Sequence, residues 1–456
     1  MSSWGIIGIG RIGLSMARNM SSKDISLSLY DKTFDKKLNP IFETKKLYPE
    51  LKSTLVFEDI SSFVDSIQKP RKILVLVPDG KPNDQVISKL LEILDEGDIL
   101  IDGGNTNPVI SSNNHLKTKK NKILYLGMGV SGGTEGVLNG PSMMIVGDIN
   151  AFNIVKKDFS LITSKTIDES SSFDFFGDSN QGHFVKMIHN GIEYVEMQLI
   201  SSIYKLLNDS GNYDNGKIAK IFKEWNNSNL KSYLLDISIK KVLEKIDDKY
   251  LIEKVDDLAG DNGTGRWMLN YGIELGCSTS LLSSAMDTRF ISNLKGERNK
   301  ISKIIKQSPK SFDININSLS RAYQFCRIIN YIQAFCLINA ANSSYNWNIS
   351  ISKALNVWSN GSIIKSSLIN LFHSNYSVEK ILNDKTIITD LNDFKSDLID
   401  IITVSLKNDV SIPCFVDALN YYNQISNNSL STNMIQAQRN YFGSHSIKIE
   451  VKAGNN

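Results

Sequence analysis

Between Gly182 and Gln198 the chain places a lysine, an imidazole, an amide, a carboxylate and a phenol within two helical turns. At ~100° per residue, Lys186, His189, Asn190, Glu193 and Tyr194 share one arc of roughly 140° if the stretch is helical. Met187, Ile188, Ile192, Val195 and Leu199 take the opposite side. The pattern predicts an amphipathic helix. A solvated stripe usually repeats Glu, Lys and Gln, whereas these groups together donate, accept and move protons. A water-facing stripe with a Lys186–Glu193 pair is the plain alternative, and the stretch alone leaves both readings open.

Something must bring a substrate to that stripe, and the N-terminal sequence suggests what. Gly5-Ile6-Ile7 reads as a strand, Gly8-Ile9-Gly10-Arg11-Ile12-Gly13 follows, and Leu14, Met16, Ala17 and Met20 have helical spacing. This is GxGxxG between a strand and a helix. Its glycines allow a tight turn, close approach to a pyrophosphate and close helix–strand packing, and the helix N-terminus favours negative charge. A second strand, 25–30, ends on Asp31 about 20 residues later, where such folds keep a ribose reader. Asp31 would accept from a ribose 2′-hydroxyl and repel a 2′-phosphate, which favours NAD. Lys32 and Thr33 would hold that phosphate, which leaves NADP open.

Apolar runs at 72–77, 98–102 and 124–130 end in Pro78-Asp79-Gly80, Gly103-Gly104-Asn105 and Ser131-Gly132-Gly133. In an open parallel sheet ligands meet such carboxyl ends. Further strands at 143–147 and 173–176 extend this α/β dinucleotide-binding domain of Rossmann type to about Asp178. The hydrophobic period then changes from 2 to 3.6. Helices are expected around 183–209, 216–246, 265–272, 280–307, 316–343, 350–370, 377–383, 391–407 and 412–425. These make a large all-helical domain over 179–435, with a short C-terminal tail over 436–456.

At 456 residues the chain allows two large domains or three average ones. A formal charge of +3 is too small to indicate a nucleic-acid partner, and no apolar run is long enough for a membrane span. Cys277, Cys326, Cys336 and Cys414 lie far apart without CxxC pairing, so no metal or disulfide framework is expected. No basic-then-apolar leader pattern opens the sequence, so a cytoplasmic location is expected.

These motifs carry a resemblance to the 6-phosphogluconate dehydrogenase family. The shared landmarks are Ile101-Asp102-Gly103-Gly104-Asn105, Gly129-Val130-Ser131-Gly132-Gly133, the 182–198 stretch, Glu224-Trp225-Asn226, Gly263-Thr264-Gly265-Arg266-Trp267 and 436–445. They run in the family's order over nearly the whole chain. The resemblance implies oxidative decarboxylation of 6-phosphogluconate to ribulose 5-phosphate with NADP. Lys186 would be the general base and Glu193 the acid that protonates C1 of the enediol. Asn105, Ser131, Gly132, Gly133, His189 and Asn190 would hold the carboxylate and hydroxyls, and Tyr194 and Arg289 the phosphate. Gly8 to Gly13, Asp31, Lys32, Thr33, Val77 and Asn105 would line the cofactor site. Arg439 and His445 would reach into a partner subunit's site, which implies a homodimer.

The chain departs from the family pattern in four places. Asp261-Asn262 replaces the usual Gln-Lys before Gly-Thr-Gly, removing a phosphate-binding lysine; such a charge-assisted contact is worth ~1.5–3 kcal/mol. Pro78 replaces a lysine, and Asp31-Lys32-Thr33 stands where Asn-Arg-Thr is usual; both keep NAD in play. The tail is also shorter. A related β-hydroxyacid dehydrogenase acting on another sugar acid, or a dinucleotide-binding homologue without turnover, are the rival expectations.

Overall fold

The computed structural model describes residues 1–32, 45–305, 311–375 and 378–448. Thr33 and the tail beyond 448 lie outside the described residues.

Eight strands form one sheet: β1 (Trp4–Ile7), β2 (Leu27–Tyr30), β3 (Leu55–Phe57), β4 (Lys72–Val75), β5 (Ile99–Asp102), β6 (Leu124–Ser131), β7 (Ser142–Gly147) and β8 (Phe173–Phe175). Their order is β3-β2-β1-β4-β5-β6-β7-β8. The first six strands run parallel, and their central members are apolar and buried because helices cover both faces. β7 pairs antiparallel with β6, and β8 parallel with β7. That reversed edge is not legible in the apolar runs, which carry no direction. The strand order reverses between β1 and β4, the crevice where such sheets take ligands.

The 29-residue helix Gln181–Asp209 links sheet and helical domain, packing on β6 and β7 at its start and on Ile316–Tyr345 beyond. Its register against that partner is held by buried polar contacts. Arg327 Nε pairs with Glu196 at 3.1 Å, Tyr323 Oη donates to the same carboxylate at 3.1 Å, and Asn330 Nδ2 donates to the Ile192 carbonyl at 3.1 Å. A buried pair of this kind fixes position more than it adds stability.

Three expected helices are in fact pairs. The 216–246 span is Asn215–Asn226 and Tyr233–Leu243, because Asn226 Oδ1 accepts from Ser232 N and Ser232 then caps the second helix. The 280–307 span is Ser280–Ser292 and Lys295–Ile304, broken where Asn293 bonds back to the Arg289 carbonyl. The 350–370 span is Ile351–Trp358 and Ser367–Asn375; between them Gly361, at φ 69°, turns the chain back toward β6. Polar residues that compete for backbone bonds end these helices inside a continuing apolar period. The helix expected at 391–407 starts earlier, at Lys385, where Asp384 caps it. The tail carries a helix, Thr432–Gly443, none of whose residues is buried.

Candidate functional site

The chemistry-bearing face of Gln181–Asp209 is turned into the protein rather than to water. A Cβ on Gly129 of β6 would lie 2.4 Å from Lys186 Cβ, so only glycine lets helix and strand approach this closely. Lys186 is 8% exposed and His189 is completely buried, while Glu193 keeps 22% of its side chain open to the cleft. His189 sits between the other two: its Nδ1 is 3.3 Å from Lys186 Nζ and 3.7 Å from Glu193 Oε2. Burial pushes the Lys186 amine down to about 8 against a smaller opposing pull from Glu193. Burial likewise holds the Glu193 carboxyl above the usual range. His189 is kept neutral by burial and by the neighbouring Lys186. The amine and the carboxyl are thus moved toward values at which they can exchange protons near neutrality, whereas the imidazole is moved away from them.

Ser131 Oγ, at the carboxyl end of β6, lies 2.8 Å from His189 Nε2 and accepts from Ile363 N at 3.1 Å. Behind it, a Cβ on Gly132 would lie 2.7 Å from the Gly361 carbonyl. The 359–366 connection therefore braces the Ser131-Gly132-Gly133 turn. Asn190 Nδ2 donates to Asn105 Oδ1 at 3.3 Å, joining the helix to the turn after β5. That turn is anchored by Asp102, whose buried carboxylate accepts from Gly104 N (3.1 Å), Thr106 Oγ1 (3.1 Å) and Asn83 Nδ2 (3.0 Å). Asp102, Asn83 and Ile363 are the positioning residues that the motifs did not single out. Asp102 sits inside a quoted landmark, while Ile363 acts through its backbone, which leaves no sequence signal.

At the far end of the stripe the Arg289 guanidinium lies over the Tyr194 ring, 4.1 Å from its centroid. Arg289 is 6% exposed, and its Nε is buried without a hydrogen-bond partner. Burial lowers its affinity for the proton. A buried, incompletely paired guanidinium is a ready anion ligand. Asn262 Oδ1 accepts from Tyr194 Oη and Thr264 Oγ1, both at 2.8 Å, and Asp261 pairs with Arg266 at 2.7 Å. The carboxylate that Asp261 adds next to Asn262 is thus matched by a cation.

The dinucleotide end fits its expected group. A Cβ on Gly13 would lie 1.8 Å from the Gly8 carbonyl, whereas one on Gly10 would meet nothing within 4 Å. The first forces glycine for packing; the second leaves room over the Arg11–Ser21 helix N-terminus, which has no side-chain cap. Val77 borders both loops: its Cγ1 approaches Gly8 and its carbonyl approaches Gly104. Asp31 Oδ2 accepts from Ile9 N at 2.6 Å, and Lys32 Nζ donates to Gln85 at 3.4 Å. Ile12 is partly buried beneath the loop and Arg11 is exposed beside it.

The structure therefore joins Lys186, His189, Asn190, Glu193, Asn105 and Ser131 in one run of contacts, with Gly132 and Gly133 in the turn after Ser131 and Arg289 stacked on Tyr194 at the end of the stripe. Arg439 and His445 do not join them within the chain: both stand exposed on the tail. Among the described residues no cluster of His, Cys, Asp and Glu suits a metal ion, and no helix is long and apolar enough to cross a membrane. Cys326 and Cys414 are buried thiols, and all four cysteines are free.

A Rossmann sheet whose strand ends face a buried lysine on a helical domain defines an NAD(P)-dependent oxidoreductase. Residues 3–169 match the NAD binding domain of 6-phosphogluconate dehydrogenase, and residues 182–455 match the 6-phosphogluconate dehydrogenase C-terminal domain. The chain belongs to the 6-phosphogluconate dehydrogenase family. It is 33% identical to the decarboxylating 6-phosphogluconate dehydrogenase of Lactococcus lactis and 34% identical to that of Staphylococcus aureus, each time over 99% of this chain and 97% of the relative. The solved structure of Plasmodium falciparum 6-phosphogluconate dehydrogenase, described apo, with its cofactor NADP+ and with its substrate, superposes with a TM-score of 0.90. That match has 31% identity and covers 100% of this chain and 99% of that one. A 3-hydroxyisobutyrate dehydrogenase from Salmonella typhimurium shares the fold alone, with 16% identity and a TM-score of 0.52 over 64% of this chain.

Proposed function

We propose that this protein oxidatively decarboxylates 6-phosphogluconate to ribulose 5-phosphate with NADP as its principal cofactor. The observation that carries this is the buried Lys186–His189–Glu193 line set between the dinucleotide loop and an incompletely paired Arg289. The nicotinamide supplies the acceptor for the C3 hydride. Neutral Lys186 takes the C3 hydroxyl proton, returns it to the keto oxygen as carbon dioxide leaves, and so forms the enediol. Glu193, held as the acid, protonates C1. Ser131, His189, Asn190 and Asn105 orient the carboxylate and hydroxyls, and Tyr194 with Arg289 takes the phosphate. The assay is absorbance of reduced nicotinamide with 6-phosphogluconate and either cofactor. No turnover with NADP or NAD, despite cofactor binding, overturns the reading. NAD is the alternative because Asp31 ends the second strand where a ribose reader is expected and Pro78 replaces the family's lysine.

Asn262 reports on the phosphate end. Asn262→Lys is expected to lower the KM for 6-phosphogluconate about tenfold or more, from the ~1.5–3 kcal/mol of a charge-assisted contact. The KM for unphosphorylated gluconate should not move. An equal change for both would place Asn262 away from the phosphate.

The same reading divides the chain into a dinucleotide domain (1–178), a helical domain (179–435) and a tail (436–456) that completes a partner's site in a cytoplasmic homodimer. The tail helix supports this: Met434, Ile435, Tyr441 and Phe442 are 63%, 55%, 93% and 74% exposed, an apolar surface that a second copy would cover. Co-expressed Lys186→Met and Arg439→Met chains should regain activity that neither has alone, since one site of the mixed dimer is intact. Failure of a stably mixed dimer to do so would exclude a shared site.

A further inference from the structure

The proposed reaction leaves the two proton-transfer groups inverted. It begins with Lys186 neutral and Glu193 protonated. Lys186 takes the C3 hydroxyl proton and gives it back during decarboxylation. When Glu193 delivers its proton to C1, Lys186 reclaims the proton from the same oxygen as the ketone forms. The cycle ends with an ammonium at Lys186 and a carboxylate at Glu193. The sugar, carbon dioxide and reduced cofactor account for every other atom. One proton must therefore move from Lys186 to Glu193 before the next turnover, and the Lys186 end, 8% exposed, has little access to water, while Glu193 keeps 22% of its side chain open.

We propose that His189 is the relay for this reset, a role that rests on the reaction proposed above. Its Nδ1 is the one atom of the stripe that faces both groups, 3.3 Å from Lys186 Nζ and 3.7 Å from Glu193 Oε2. In the tautomer with Nε2–H donating to Ser131 Oγ, 2.8 Å away, Nδ1 carries a lone pair. Nδ1 takes a proton from the Lys186 ammonium, giving an imidazolium and a neutral amine. The same N–H is then passed to Glu193 Oε2, giving neutral imidazole and the carboxylic acid. No oxidant, reductant or external proton is consumed. Asn190 Oδ1, 3.1 Å from Nδ1, accepts from the imidazolium while it exists. The Ser131 hydroxyl oxygen, which accepts from Ile363 N, has a second lone pair that can take the Nε2 hydrogen in this tautomer. Trp358 meets the ring edge-on, with centroids 6.0 Å apart, and closes it off from water. Burial keeps the ring neutral between transfers, as a relay requires.

The test is rapid mixing of His189→Gln with 6-phosphogluconate and NADP above the Lys186 value of about 8. There the first hydride transfer needs only a neutral amine. The variant should form one reduced nicotinamide per site in a burst and then slow, with the burst-to-steady ratio raised on the order of 100-fold over the unsubstituted enzyme. Imidazole buffer should restore the steady rate in proportion to its concentration, because it replaces the missing proton path. If burst and steady rates fall together, or if imidazole has no effect, His189 only binds substrate and the relay is wrong. Reduced nicotinamide absent even from the unsubstituted enzyme would instead overturn the reaction itself. If His189→Gln does not fold, His189→Asn, which keeps a donor toward Ser131, gives the same readout.

Discussion

Lys186→Met is expected to lower turnover toward the far end of the ~10²–10⁴ range of a general base, while dinucleotide binding stays intact. In the proposed mechanism three proton transfers at the substrate oxygen pass through this amine, so no bypass exists at any of them. The dinucleotide loop lies on β1 and its following helix and makes no use of the lysine. The same substitution should stabilise the fold at neutral pH. The folded value, about 8, lies below the ordinary lysine value, so burying the ammonium costs on the order of 3 kcal/mol. That cost is fully present below about pH 8 and disappears as the pH rises past the ordinary lysine value. Met should therefore raise Tm at pH 7, with the gain shrinking in alkaline buffer. Calorimetry at several pH values, beside a cofactor titration and a turnover assay, checks all three statements. A lower Tm at pH 7 would mean that the ammonium is well solvated in the folded protein.

Glu193→Gln is expected to cut ribulose 5-phosphate formation on the order of 10²–10³-fold while leaving the first hydride transfer and release of carbon dioxide comparatively intact. An amide cannot protonate C1, but neither earlier step draws on Glu193. The pH dependence should change shape as well. With both groups present, the active form needs a neutral Lys186 and a protonated Glu193, which gives a bell bounded by the pair's two macroscopic values. With Gln, only Lys186 titrates, so the rate of the first hydride transfer should rise with pH to a plateau. Because the Glu193 charge raises Lys186, removing it should move that rise below about 8. Unlike His189→Gln, this variant should gain nothing from imidazole. A bell that persists in Glu193→Gln would show that another acid supplies the C1 proton.

The stripe at 186–194 could be read from spacing because a helix turns its side chains by ~100° per residue. The dinucleotide loop was equally legible, since the Gly8 carbonyl leaves no room for a side chain at Gly13. Helix ends inside 216–246, 280–307 and 350–370 were not, because the apolar period continues through Asn226, Asn293 and Gly361 while local side-chain bonds or a turn break the backbone. The reversed β7–β8 edge was also hidden, as an apolar strand reads the same in either direction.

What the sequence determined by itself was which groups share a face and which loop has the glycine spacing of a pyrophosphate-binding turn; both follow from local geometry of a few consecutive residues. Only the tertiary structure decided that the stripe faces inward, through Gly129 against Lys186, and thereby that an ordinary amine becomes one ionising at about 8. It also decided that His189 stands between Lys186 and Glu193, and that Ser131 is held by a backbone amide from Ile363. Desolvation is the reason: it depends on everything packed around a group, and that surrounding comes from residues distant in the chain.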